Sequence, residues 1–208
     1  MRIGVMGGTF DPIHLGHLVT AEAVRHRFGL HQVVFVPTGR PPHKKGDNVS
    51  SAEHRYVMTF LAVVSNPEFS VSRVEIDRPG YSYTFDTMLA LGEVYGPGCE
   101  LYFITGADVM RDIHTWHRAE ELLTLCHFIA ASRPGYTLSD YIAQTDIERF
   151  RGNGHIQLLE VPAMAISSTD LRRRVRAGEP IRYLVPESVE NYIHEHGLYL
   201  DNVSGGSL

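Results

Sequence analysis

Two stretches of the chain combine residue types that could do chemistry on phosphate. The first is Gly7-Gly8-Thr9-Phe10-Asp11-Pro12-Ile13-His14-Leu15-Gly16-His17. Gly7 and Gly8 remove side chains where backbone must approach a ligand, and Thr9 adds a hydroxyl. A helix starting near Leu15 would aim free N–H groups and a partial positive charge back at this turn. His14 and His17 are three apart and share one face of the helix entry. Their ring N–H groups could bond phosphate oxygens and stabilise charge building on a leaving pyrophosphate. Plainer readings stand beside this one. Gly-Gly after a strand makes a tight turn, either histidine could cap or pack, and the histidine pair lacks an obvious third metal ligand. The stretch is neither a Walker A loop nor a GxGxxG fingerprint.

The second stretch is Ile166-Ser167-Ser168-Thr169-Asp170-Leu171-Arg172. Ser167 or Ser168 can cap a helix, the free N–H groups behind it can accept an anion, and Arg172 can fold back to a phosphate. An ordinary helix start followed by a solvated basic face (Arg172, Arg173, Arg174, Arg176) is the competing reading.

The elements that must hold these stretches alternate. Ile3 to Met6 reads as a buried strand and Gly16 to Phe28 as a helix, with Leu18, Ala21, Val24 and Phe28 near helical spacing and Gly29 ending it. Gln32 to Val36 is a strand closed by Pro37, and Thr38 to Gly46 is a loop rich in Pro and Gly. From Ser51 a helix follows, with Tyr56, Val57, Phe60, Leu61 and Val64 as its apolar stripe. Further strands are expected at Phe69 to Ile76, Leu101 to Gly106, Phe128 to Ala131 and Ile156 to Val161. Helices are expected at Thr84 to Tyr95, Ala119 to Leu125, Leu138 to Phe150, Thr169 to Ala177 and Pro186 to His196. Strands alternating with helices imply parallel pairing through right-handed crossovers. The fold class is therefore α/β, a doubly wound, mainly parallel sheet, in which ligands bind beyond the carboxyl ends of the strands.

At 208 residues the chain suits one sizeable domain. We assign it to 1–200 and expect the polar 201–208 to fray. With 43% hydrophobic residues a packed core is expected. Lys+Arg 19 against Asp+Glu 24 gives a net charge of −5, which argues against a nucleic-acid polymer as partner. No apolar run approaches the length of a membrane span, and the start of the chain does not read as a signal peptide. Cys99 and Cys126 form no CxxC pair. Cys126, inside an apolar run, reads as a buried free thiol, and two reduced thiols suit a cytoplasmic protein. Whether the chain forms a homo-oligomer is not legible.

Taken together, GGTFDPIHLGH and ISSTDLR are far more specific than either alone. They resemble the nucleotidyltransferase superfamily with the (H/T)xGH signature, and within it the bacterial nicotinate-mononucleotide adenylyltransferases. The resemblance runs from Met1 to about Tyr199 and includes PPHK (41–44), YTFDT (83–87), GAD (106–108) and SRPG (132–135). It implies a Rossmann-like fold, ATP and nicotinate mononucleotide as small-molecule substrates, and Mg²⁺ entering with ATP rather than in a protein cage. It further implies that Gly7, Gly8, Thr9 and Phe10 hold the nucleotide, that His14 and His17 bind the ATP phosphates, and that Lys44 approaches the reacting phosphates. Gly106 and Asp108 would contact ribose and base; Ser167, Ser168, Thr169 and Arg172 would form the second phosphate motif. Tyr83 and Thr84 would receive the pyridine carboxylate, Trp116 would stack on the ring, and Arg133 would lie close to the substrates.

The residues themselves leave room beside these roles. Lys44 lies between Gly39 and Gly46 in a loop that suits a lid or a solvated basic turn, and Lys45 could replace it. Trp116 sits among polar neighbours (His114, Thr115, His117, Arg118), so local sequence does not bury it. Asp108 or Thr84 could be a helix N-cap. The implied reaction is in-line attack by an already anionic acceptor phosphate on the α-phosphorus of ATP. It needs positioning and charge stabilisation more than a general base. Transfer to nicotinamide mononucleotide or phosphopantetheine is the nearest rival, and a non-catalytic nucleotide-binding module is the rival of a different class.

Overall fold

The computed structural model describes residues 1–41, 49–132, 137, 156–162 and 165–200. Lys44, Arg133, the helix expected at 138–150 and the tail at 201–208 lie outside the described residues.

The strands are β1 (Arg2–Gly8), β2 (Gln32–Pro37), β3 (Phe69–Val71), β4 (Glu100–Gly106), β5 (His127–Ser132) and β6 (Ile156–Glu160). They form one sheet in the order β3-β2-β1-β4-β5-β6. All five pairings are parallel; Val5, for example, stands beside both Val34 and Phe103. The order reverses direction between β1 and β4. That switch point is where a doubly wound sheet opens a crevice at its carboxyl edge.

The helices are α1 (Leu15–Phe28), α2 (Ala52–Val63), α3 (Thr84–Tyr95), α4 (Ala119–Leu125), α5 (Ser168–Arg176) and α6 (Glu187–Glu195). Two apolar layers enclose the sheet. On one face Phe85, Met88 and Leu91 of α3 and Leu122 and Leu123 of α4 pack with Val5, Phe103 and Phe128. On the other, Ala21 and Val24 of α1, Met58 of α2, Leu171 of α5 and Val189 and Ile193 of α6 pack with Phe35, Ile104 and Ile129. A sheet covered on both faces requires strands that are apolar without alternation, and Ile3, Gly4, Val5 and Met6 are all buried. Gly29 ends α1 in the left-handed conformation, at φ 59°. Cys126 is free and buried, as its apolar run implied.

Two local expectations fail and one element was not foreseen. β3 stops at Val71 rather than Ile76, because Ser72 N–H makes the closing ladder bond to Phe35 O and the carbonyl of Arg73 then turns the chain by accepting from Ile76 and Asp77. Ala107–Thr115 is a 3-10 helix that apolar periodicity did not disclose. The stripe expected on α2 holds only in part: Leu61 packs against the core and Tyr56 and Val57 are half-buried, but Phe60 and Val64 are exposed, while Arg55, Met58, Thr59, Ala62 and Val63 are buried. The buried face carries Arg55 among Met58, Ala62 and Val63.

Phe35 is fully buried and touches Phe10 and Phe69 at ring-centroid distances of 5.9 and 5.2 Å. Phe35→Ala should lower the unfolding free energy by about 3–5 kcal/mol, read as an earlier urea midpoint at unchanged slope.

Candidate active site

The first motif crosses the carboxyl edge of the sheet. β1 ends at Gly8, and Phe10 takes a left-handed backbone, φ 49°, that turns its ring back over the strand end. A Cβ on Gly8 would lie 2.9 Å from Phe10 Cε1. Gly8 is therefore needed to seat Phe10, which is itself buried in the core. The chain then enters α1 with His14 as N-cap. Backbone N–H of His14 donates to Nδ1 of His17 at 3.2 Å, and the two rings stack with centroids 3.7 Å apart. Because His17 Nδ1 accepts, a neutral His17 carries its proton on Nε2 and presents that N–H as a donor.

Both histidines are neutral in the free protein. Burial pushes the pKa of His14 down to about 4, and burial together with the neighbouring His14 pushes that of His17 down to about 3.

The second motif docks on the first. Ser167 caps α5, its hydroxyl accepting from Asp170 N–H at 3.1 Å. Ser168 Oγ donates to Pro12 O at 2.9 Å, and Arg172 Nη1 donates to Asp11 O at 2.7 Å. Arg172 also reaches Thr169 Oγ1 at 3.4 Å. In this structure its guanidinium braces the turn rather than facing the crevice.

The crevice at the switch point has a volume of about 450 Å³ and is walled by Gly7, His14, Gly16, His17, Thr20, Thr105, Gly106, Asp108, Ser132, Ser167 and Ser168, with Met6, Ile104 and Val109 among its apolar lining. Two of its buried polar atoms, His14 Nδ1 and Ser132 Oγ, have no hydrogen-bond partner among the described residues. Unpaired buried polar groups are costly, so this wall is built for a polar ligand. α1 and α5 both begin at it; since Leu15 N–H is taken by Leu184 O and His17 N–H by His14 O, the α1 start contributes chiefly the positive end of its dipole. Among the described residues no three His, Cys, Asp or Glu side chains gather as a metal cage, and Asp108 is the one carboxylate of this wall.

A second cavity of about 470 Å³ is lined by Thr38, Pro41, Ser82, Tyr83, Thr84, Val109, Thr115, Trp116 and His117. Val109 lines both cavities, so they are adjacent. Tyr83 is the N-cap of α3 and Thr84 its first residue. The Tyr83 and His117 rings lie 4.6 Å apart. Trp116 is not left bare by its polar sequence neighbours: it packs edge-on against Phe103 at 5.8 Å and near Phe128 at 6.3 Å, residues supplied by β4 and β5.

The structure thus gathers Gly7, His14, His17, Gly106, Asp108, Ser167 and Ser168 at one cavity and Tyr83, Thr84 and Trp116 at the next. Gly8, Thr9, Phe10, Thr169 and Arg172 support the walls without lining them. Asp108 lies within the 3-10 helix, whose N-cap is Gly106. Thr20, Thr105, Ser132, Thr38 and His117 were not singled out from sequence. Thr20 continues the three-residue spacing of His14 and His17, and Thr105 and Ser132 stand at strand ends, so spacing and the strand-end rule could have found them.

A family model described as cytidylyltransferase-like matches residues 5–174. A protein of Moorella thermoacetica named "Probable nicotinate-nucleotide adenylyltransferase" is 56% identical over 204 residues, covering 98% of this chain and 94% of its own. One of the same name from Thermoanaerobacter sp. is 53% identical over 207 residues, covering 99% and 98%. The chain belongs to the nicotinate-nucleotide adenylyltransferase family. The fold likeness extends to distant members: the nicotinic acid mononucleotide adenylyltransferase of Plasmodium falciparum, solved in complex with NaAD, superposes with a TM-score of 0.77 at 20% identity, over 95% of this chain and 97% of that one.

The depressed histidines make stability depend on pH. Each binds its proton more weakly folded than unfolded, where the pKa is 6.5. Their contribution is complete above about pH 6.5 and is lost as pH falls to about 4 for His14 and about 3 for His17. Ring-nitrogen NMR of the free protein should show His17 neutral at pH 5 with its proton on Nε2; an imidazolium there would contradict this geometry.

Proposed function

We propose that the chain moves the adenylyl group of ATP onto the phosphate of nicotinate mononucleotide, giving nicotinate adenine dinucleotide and pyrophosphate in NAD biosynthesis. One observation carries the assignment of roles: two adjacent cavities share Val109, one walled by histidines, hydroxyls and helix starts, the other by aromatic rings and the start of α3. The first suits ATP. His14 and His17, with Ser167, Ser168 and the α5 start, take the phosphates, while Gly106 and Asp108 meet the nucleoside. The second suits the pyridine mononucleotide. Trp116 offers a ring face, and N–H groups at the α3 start, beside Tyr83 and Thr84, receive the carboxylate.

The acceptor phosphate attacks the α-phosphorus and the bond to pyrophosphate breaks. An acceptor that is already anionic needs no general base. Catalysis is then positioning plus stabilisation of charge on the leaving group. His17 serves as an Nε2–H donor to that charge, and phosphate contact favours protonation of both histidines. Lys44 adds a further cation and Arg133 a further contact, both by family resemblance. The donor set fits a Mg²⁺ that rides on the triphosphate and keeps much of its water, since the wall offers donors for anionic oxygens and one carboxylate. Such an ion would neutralise phosphate charge, with Asp108 as the carboxylate of the wall beside it. Two free thiols support a cytoplasmic setting, and no helix among the described residues is long and apolar enough to cross a membrane.

Pyrophosphate release from ATP and Mg²⁺ should be rapid with nicotinate mononucleotide and slower with its amide analogue or phosphopantetheine. His17→Ala should lower kcat by about 10²–10³-fold, the range for loss of one preorganised donor. Preference for a different acceptor would overturn the substrate; no release with any acceptor would overturn the activity.

A further inference from the structure

Arg55 is the largest fully buried side chain described, 2% exposed, although it lies on α2, which leaves Phe60 exposed. Its guanidinium is spread over three carbonyls, one in the connection after β1 and two at the opposite ends of the connection between β2 and α2. Nη1 donates to Thr9 O at 2.9 Å, in the turn after β1. Nη2 donates to Gly39 O at 3.2 Å, after β2. Nε donates to Ser50 O at 3.0 Å, just before α2. Asp11 supplies opposing charge; its carboxylate in turn accepts from Ser50 N–H at 3.3 Å and from Tyr199 O–H at 2.8 Å.

Each end of this clamp leads into a substrate cavity. Thr9 follows Gly7 and Gly8, the first of which lines the ATP cavity, and Gly8 O accepts from Thr38 N–H at 2.9 Å. Gly39 leads to the other cavity: N–H of Gly39 and N–H of Arg40 both donate to Ser82 Oγ at 3.1 Å, and Ser82 is part of that cavity's wall beside Tyr83. Gly39 is pressed so close that a Cβ there would lie 2.1 Å from Glu75 O. A continuous hydrogen-bonded chain therefore runs from the phosphate turn through Arg55 to the floor of the pyridine cavity.

We infer that Arg55 is a positioning residue for adenylyl transfer, holding the two cavities in the relative placement that aligns the acceptor phosphate with the α-phosphorus of ATP. The inference rests on the functional reading above. Arg55 lines neither cavity, so it acts through the loops it joins. The planar guanidinium fork can serve three carbonyls at once; a lysine ammonium is a single point that cannot span them. In-line transfer is sensitive to such placement, because a misalignment of about 1 Å can cost about 10²-fold in rate.

The test separates alignment from binding and from folding. For Arg55→Lys, melting would be followed, a non-reacting ATP analogue and nicotinate mononucleotide would each be titrated alone by calorimetry, and kcat measured with both substrates and Mg²⁺. The expected result is a folded variant whose two dissociation constants stay within about 3-fold of the parent while kcat falls by about 10²-fold. A kcat within about 3-fold of the parent, or a loss wholly matched by weaker binding of one substrate, overturns the inference. If Arg55→Lys does not fold, Ser82→Ala breaks the same chain one link further on. It should cut kcat by about tenfold with ATP-analogue affinity unchanged, and an unchanged kcat overturns the inference. A parent protein that makes no dinucleotide overturns the functional reading and the inference together, whereas an active parent with an active, folded Arg55→Lys overturns the inference alone.

Discussion

Parallel pairing governs everything else in this molecule. When neighbouring strands run the same way, their carboxyl ends emerge along one edge, and the chain must cross back over a face to begin the next. The turns after β1, β2, β4 and β5 consequently share that edge, and residues more than a hundred positions apart become neighbours there. Helices that start at the same edge point their free N–H groups at it. With the order reversing between β1 and β4, the crevice opens between the first motif and Gly106. A crevice at that place, faced by helix starts, is a result of topology before any functional side chain is considered.

Polar wiring then turns an edge into a site. Ser168 and Arg172 bond the carbonyls of Pro12 and Asp11, so the late motif braces the early one. Arg55 does the same for the loops after β1 and β2. Hydrogen bonds to charged groups contribute about 1.5–3 kcal/mol each, while an unpaired buried guanidinium would cost several kcal/mol. Three carbonyls and a nearby carboxylate are what make its burial tolerable. That requirement decides which face of α2 points inward, ahead of the hydrophobic preference of Phe60 and Val64.

Much of the fold was readable along the chain because its inner strands β1, β2 and β4 are covered on both faces and carry uninterrupted buried runs, and because Gly29 and Gly178 stand where helices end. The reading failed where a local rule met a non-local demand. Nothing in the order of Tyr56, Val57 and Phe60 tells that Arg55 is needed by the carbonyls of Thr9, Gly39 and Ser50. Trp116 looked bare because its packing partners, Phe103 and Phe128, arrive from other strands. β3 ended early because an edge strand keeps its form only as far as its partner's ladder bonds reach.

The amino-acid sequence by itself determined the alternation of strands and helices, the two phosphate-type motifs and, by resemblance, the family and its chemistry. These depend on residue type and short spacing, which are properties of a linear order. Only the tertiary structure decided that His17 presents Nε2, that Arg172 braces a turn, that the two cavities meet at Val109, and that Arg55 joins their walls. Each of those depends on a distance between residues far apart in the chain, and such distances are set by how the sheet's edge gathers its loops.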